Sequence, residues 1–198
     1  VIDTVTYAIR RLTPREFSLL APQLVDIYIE AMDYSPSIHA KSVRGWRNDM
    51  QRAGFQTVIA EDDTGVVGMA YGFIGSPDTW WDQQLRRGLV KEGGPTAAQA
   101  KVLQNYFELA EIHVLPRCQG RGIGKQLAQN LLWNAPARHC LLSTPEVDGE
   151  QNNAFGLYRH LGFVDFLRNL RYPADTRGFA ILVATLPLHP RVEQSPES

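Results

Sequence analysis

Gln119, Gly120, Arg121, Gly122, Ile123 and Gly124 stand between a short apolar strand at 111–115 and an amphipathic helical pattern over 122–134. Three alternating glycines let the backbone take positive φ and approach a ligand with no Cβ in the way. The first N–H groups of the following helix lack intrahelical partners and carry the positive end of its dipole, so the expected chemistry is anion binding, a pyrophosphate above all. Charge agrees, because residues 115–125 hold Arg117, Arg121 and Lys125 and no acid. The spacing is not that of a dinucleotide fingerprint, which needs G-x-G-x-x-G. Nor is it a P-loop, since Gly120 and Gly124 enclose only three residues and Gln126, not Ser or Thr, follows Lys125. A glycine-rich turn without any ligand is the plain alternative.

The elements that position this turn can be read along the chain. A strand is expected at 6–12, and Thr13, Pro14 and Glu16 supply an N-cap, an N1 proline and an N3 glutamate for a helix. Phe17, Leu20, Leu24, Ile27 and Ala31 recur at helical spacing, and 38–53 reads as a second, more polar helix. The β-rich runs 55–61 and 66–74 flank a 62–65 turn and predict a hairpin. Residues 76–105 break the rhythm with Trp80, Trp81, Arg86 and Arg87 before an alanine-rich helical stretch, and read as an insertion. A strand at 106–115, the glycine turn and its helix follow, then a strand at 139–143, a loop with Glu146 and Asp148, and a helix with Ala154, Leu157, Tyr158 and Leu161 on one face. Strands at 163–172 and 179–186 close the pattern. One α/β (α+β) domain over 1–186 is expected, with a disordered tail at 187–198.

Composition narrows the function classes. Twenty basic against 21 acidic residues, a net charge of -1, offers no sequence-independent grip on nucleic acid. The longest uncharged apolar runs, 66–75 and 179–188, fall well short of the ~20 residues that span a bilayer. No signal segment is visible, and a cytoplasmic location is expected. Cys118 and Cys140 have no metal-ligand spacing, so reduced thiols and no metal are expected.

Two blocks together resemble the GNAT superfamily of N-acetyltransferases: the Q/R-x-x-G-x-G/A pattern at 119–124, and 152–163 with its alanine, Leu157-Tyr158 and closing Gly162-Phe163. Gln151 stands where asparagine is common, and 76–105 is longer than the usual hairpin there. The resemblance implies a mixed, mostly antiparallel sheet of about seven strands, splayed between the fourth and fifth to hold acetyl-coenzyme A. It implies that the amides of Gln119, Gly120, Arg121, Gly122, Ile123, Gly124 and Lys125 take the pyrophosphate, that the Val114 backbone holds the pantetheine arm, and that Asn153 anchors it from the other side. The implied reaction is direct attack of a primary amine, of a small molecule or a protein, on the thioester. A non-catalytic acyl-coenzyme A sensor is the alternative reading.

Direct transfer needs a neutral amine, whereas a lysine-like amine with a pKa of ~10.4 is mostly protonated at neutral pH, so a base is required. Tyr158 stands where the family often places a phenol that protonates the departing thiolate, although it also belongs to the apolar stripe of its helix. Glu108 and Glu111 are the base candidates. In a regular strand Glu108 shares a face with Val114, while Glu111 and His113 point the other way unless a bulge intervenes. Glu108 is therefore ranked first and Glu111 second, with His113 as a structural or lining residue; Glu146 and Asp148 either reach the acceptor from the loop after the next strand or, more simply, form a solvated acidic turn. Trp80, Trp81, Tyr28 and Tyr34 either frame the acceptor pocket or anchor their own segments. Strand edges near the C-terminus leave a homodimer open.

Overall fold

The computed structural model describes residues 6–188; most of the tail read at 187–198 lies outside them. Strand β1 (Ala8–Arg11) leads to helix α1 (Pro14–Met32), which opens as its sequence dictates. The Glu16 amide donates to Thr13 Oγ1 at 3.2 Å and the Thr13 amide to Glu16 Oε2 at 2.7 Å, which satisfies two of the donors a helix start leaves unpaired. Helix α2 (His39–Asp49) follows a single 3-10 turn, and β2 (Gln56–Asp62) and β3 (Gly65–Ile74) form the expected hairpin.

The remaining elements are α3 (Trp80–Lys91), α4 (Ala97–Leu103), β4 (Tyr106–Val114), α5 (Ile123–Leu132), β5 (His139–Pro145), α6 (Asn153–His160), β6 (Val164–Arg171) and β7 (Gly178–Thr185). The seven strands form one sheet in the order β1-β2-β3-β4-β5-β7-β6, in which only β4 and β5 are parallel. β7 therefore lies inside the sheet, and of the two C-terminal strands only β6 presents an edge. α1 packs on β3 and β4, and α5 packs on β2, β3 and β4. The two helices use opposite faces: Phe17 of α1 meets Tyr71 of β3, whereas a Cβ added at Gly68 of β3 would meet Leu127 and Ile123 of α5.

The segment 76–105 differs from its sequence reading, which recognised only the alanine-rich helix. Two helices form there, because Trp81, Leu85 and Leu89 recur at intervals of four and make a stripe that the adjacent Arg86 and Arg87 obscure. Leu85, Leu89, Val102 and Leu103 bury themselves with Leu167 and Ile181 in a second core over the β6–β7 half of the sheet. Thr79 caps α3, and Asp82, wholly buried, takes the Arg86 guanidinium at 2.5 Å and the Tyr106 hydroxyl at 2.6 Å.

Candidate active site

β4 and β5 pair only from Tyr106 to Glu108 against His139 to Leu141. Beyond that they part, β4 running on to Val114 and β5 to Pro145, so the sheet opens into a cleft whose apex lies at Glu108 and Leu141. The glycine turn stands at the open end. A 3-10 turn (Pro116–Cys118) brings the chain round, Gly120 (φ 75°) and Gly122 (φ 78°) take left-handed backbone with open space where a side chain would be, and Gly122 caps α5 with no side-chain acceptor. The amides of Ile123, Gly124 and Lys125 thus lack intrahelical acceptors, and Arg121 and Lys125 have no ion-pair partner among the described residues. Ile123 itself is buried against Gly68, so it offers a ligand backbone only.

Around this turn the structure adds contacts that the sequence did not reveal. Gln119 Nε2 donates to the Val114 carbonyl at 3.0 Å, which ties the end of β4 to the turn. Gly124 lets α5 approach α6, since a Cβ there would lie 3.2 Å from Leu157. Asn152 caps α6 by accepting from the Phe155 amide at 2.8 Å, while Asn153 is exposed at its first turn. Tyr158 is buried, and no group among the described residues hydrogen-bonds its hydroxyl. Burial raises the pKa of this phenol, helped by the charge of Glu111 on β4, so the hydroxyl is protonated at neutral pH.

The face assignments of β4 change at one residue. Tyr71 pairs with Glu111 and Gly72 with Leu109, so Ala110 is left out of the ladder as a bulge. Glu108 lies opposite Phe73, Glu111 opposite Tyr71 and His113 opposite Met69, which puts all three on the α1 face; Val114, opposite Gly68, is on the α5 face. The regular-strand expectation that Glu108 shares a face with Val114 is thus overturned, because one extra residue reverses the alternation between them. Glu108 is buried with Oε2 unpartnered among the described residues, and desolvation, then the charge of Asp49, pushes its pKa up to about 8. Glu111 Oε2 lies 2.5 Å from His113 Nε2, and the His113 ring packs on Tyr28 at 4.8 Å.

Known proteins share the fold that carries this cleft. The model of the acetyltransferase (GNAT) family matches residues 21–163. The chain belongs to that family. It is 38% identical to the GCN5-like protein acetyltransferase Rv2170 of Mycobacterium tuberculosis, covering 89% of this chain and 97% of that one. Among solved structures, yncA of Salmonella typhimurium with its cofactor acetyl-CoA shares the fold at a TM-score of 0.58 and 16% identity, over 97% of this chain and 98% of that one. A GNAT family acetyltransferase from Brucella melitensis in complex with acetyl-CoA does so at a TM-score of 0.51 and 20% identity, over 93% and 92%.

Other groups find structural employment in this GNAT acetyltransferase. Glu146 pairs with Arg168 at 2.5 Å, and Arg168 and Arg159 share Glu150 and Asp165, so the loop after β5 is pinned to α6 and β6. That commits Glu146 to the scaffold, against its reading as a carboxylate reaching the acceptor. Trp81 donates to Tyr172 Oη at 2.8 Å and anchors α3, whereas Trp80 stacks on Tyr172 from an exposed position. Tyr28 and Tyr34 pack together beside His113. Asp49, which no motif marks, accepts from the Tyr71 hydroxyl at 2.8 Å; burial raises its pKa, and it is the acid that most perturbs Glu108. Among the described residues no group of three His, Cys, Asp or Glu could hold a metal ion, and no helix is long and apolar enough to cross a membrane.

Proposed function

We propose that this acetyltransferase moves the acetyl group of acetyl-coenzyme A directly to a primary amine of a protein, within a ternary complex. The observation that carries the reading is the Ala110 bulge, which puts Glu108, Glu111 and His113 on one face of β4, with Glu108 at the apex of the cleft and the other two along its open wall. Acetyl-coenzyme A is the co-substrate of the relatives solved with it, and the free amides from Gly120 to Lys125 with Arg121 and Lys125 suit its diphosphate. The Val114 backbone and Asn153 would hold its pantetheine arm, once Gln119 yields the Val114 carbonyl.

Glu108 is the base in this reading, acting through a water in its ionised form, whose share grows as pH rises towards about 8, and its Oε2 has no other partner among the described residues. Glu111, with one oxygen given to His113, attracts the incoming ammonium. Glu108 takes the ammonium proton through the water, the neutral amine nitrogen bonds to the thioester carbon, the C–S bond breaks as Tyr158 gives its proton to the departing thiolate, and the second nitrogen proton returns to the Tyr158 oxygen. The protein acceptor rests on the name of the Mycobacterium tuberculosis relative. Thiol release from acetyl-coenzyme A, compared between free amines and lysine-bearing peptides, tests the reading. Coenzyme binding with no thiol release for any acceptor would instead favour a sensor.

A further inference from the structure

A second concavity, of about 750 Å³, lies between α3 and β6, away from the glycine turn. Its walls are residues 84–92 and 167–173, which at the rise of a helix and a strand make a trough roughly 12–20 Å long. The floor is apolar. Gly88 permits this, for a Cβ there would lie 2.5 Å from Leu170 and 3.0 Å from Leu167, and Tyr172 and Pro173 close one end. The rim is cationic. Arg86 and Arg168 are neutralised by Asp82 and by Glu146, Glu150 and Asp165. Arg87 and Lys91 are not: both are exposed, four residues apart on one helix face, with no ion-pair partner among the described residues. Such like-charged neighbours repel each other mildly, which an anionic partner would relieve. Arg171 commits one nitrogen to the Thr176 carbonyl, and Glu92 is the only acid of the lining. Val90 stands 69% exposed beside Lys91.

A chain of side-chain contacts links this trough to the face of β4 that carries Glu111 and His113. Tyr172, at its end, bonds Ser143 of β5 at 2.7 Å and packs on Phe179 at 4.6 Å. Arg177 covers both Phe179 and Tyr34, Tyr34 packs on Tyr28, and Tyr28 packs on His113 beside Glu111. We propose that the trough docks an acidic segment with interspersed apolar side chains, belonging to the protein whose amine is acetylated, and that the amine reaches Glu111 along this ring-lined track. The inference rests on the protein-amine reading above. An apolar floor between separated cations fits carboxylates alternating with leucine-like side chains better than a single phosphate. A chain of net charge -1 argues against nucleic acid.

The test uses the full chain and a dye-labelled peptide of alternating glutamate and leucine, free of lysine, followed by fluorescence anisotropy. The expected result is binding that weakens with salt and falls about tenfold in the double variant Arg87→Glu, Lys91→Glu, whose affinity for acetyl-coenzyme A is unchanged. A glutamine-for-glutamate peptide should not bind. With a lysine added at one end, the acidic peptide should be acetylated with a KM about tenfold higher in the double variant and the same kcat. Equal affinity of both proteins for the acidic peptide overturns the proposal. So does a single-stranded oligothymidine of equal charge that binds more tightly and is lost in the same variant. Peptide binding that depends on Arg87 and Lys91, without acetylation of any amine, sinks the transfer reading and leaves the docking trough standing.

Discussion

Glu108 and Glu111 face the same side of the sheet although they are three positions apart in one strand, because Ala110 between them has no partner on β3. The bulge sets two carboxylates and His113 along one face of β4, starting from Glu108 where the parallel β4–β5 pairing ends. Glu108, the deeper of the two, is held largely protonated below about pH 8 by burial.

Replacing Glu108 with Gln tests both its chemistry and its cost. In the wild type kcat/KM should climb through about pH 8 as the carboxyl ionises; in Glu108→Gln that limb should vanish and kcat at pH 8 fall by about 10²-fold or more. Stability should move oppositely. A carboxyl whose folded pKa is raised binds a proton in the native state that the unfolded chain has released, so wild-type stability falls as pH rises between the ordinary glutamate value of 4.5 and about 8. Denaturant melts across that window should show Glu108→Gln gaining a few kcal/mol on the wild type by pH 9.

Tyr158→Phe removes a hydroxyl that has no protein partner among the described residues, so folding should be little affected. If the phenol protonates the departing thiolate, kcat should drop by about 10²-fold with the dissociation constant for acetyl-coenzyme A unchanged. Stopped assays of thiol release beside calorimetric titration of the coenzyme separate the two. Undiminished turnover would remove Tyr158 from the chemistry.

Gly72→Ala probes the packing that accompanies the bulge. A Cβ at Gly72 would lie 2.2 Å from the Glu108 carbonyl and 2.4 Å from the Phe107 ring, and backbone cannot yield there without shifting β4. A loss of about 3 kcal/mol in urea unfolding is expected, together with a loss of activity in the surviving folded protein. A variant of wild-type stability would show that β4 can move freely.

Asp82→Ala tests how α3 is held. It strips a wholly buried carboxylate from Arg86 and from the Tyr106 hydroxyl, leaving the latter without its acceptor. The expected loss is about 3 kcal/mol, read by chemical denaturation. Unchanged stability would mean that α3 is fastened by its apolar stripe alone.

Local order in this protein is written in short stretches of sequence. The Thr13–Glu16 capping box starts α1, the turn at 62–65 sets the hairpin, and Gly120 and Gly122 bend the backbone that leaves the α5 amides free. Each depends on neighbours a few residues away, so residue type and spacing were enough, and the resemblance of 119–124 and 152–163 to the family added the fold. Helix α3 was hidden because Arg86 and Arg87 interrupt its apolar stripe and its buried face also carries Asp82 and Gly88, whose worth lies in Tyr106 and Leu170 far along the chain. The side of β4 on which its carboxylates lie was likewise a tertiary decision. Period-two alternation fails at Ala110 only because β3 pairs around it, and the elevated pKa of Glu108 arises from burial and from Asp49 at the end of α2. Register and desolvation are properties of the assembled sheet, and no window of sequence contains them.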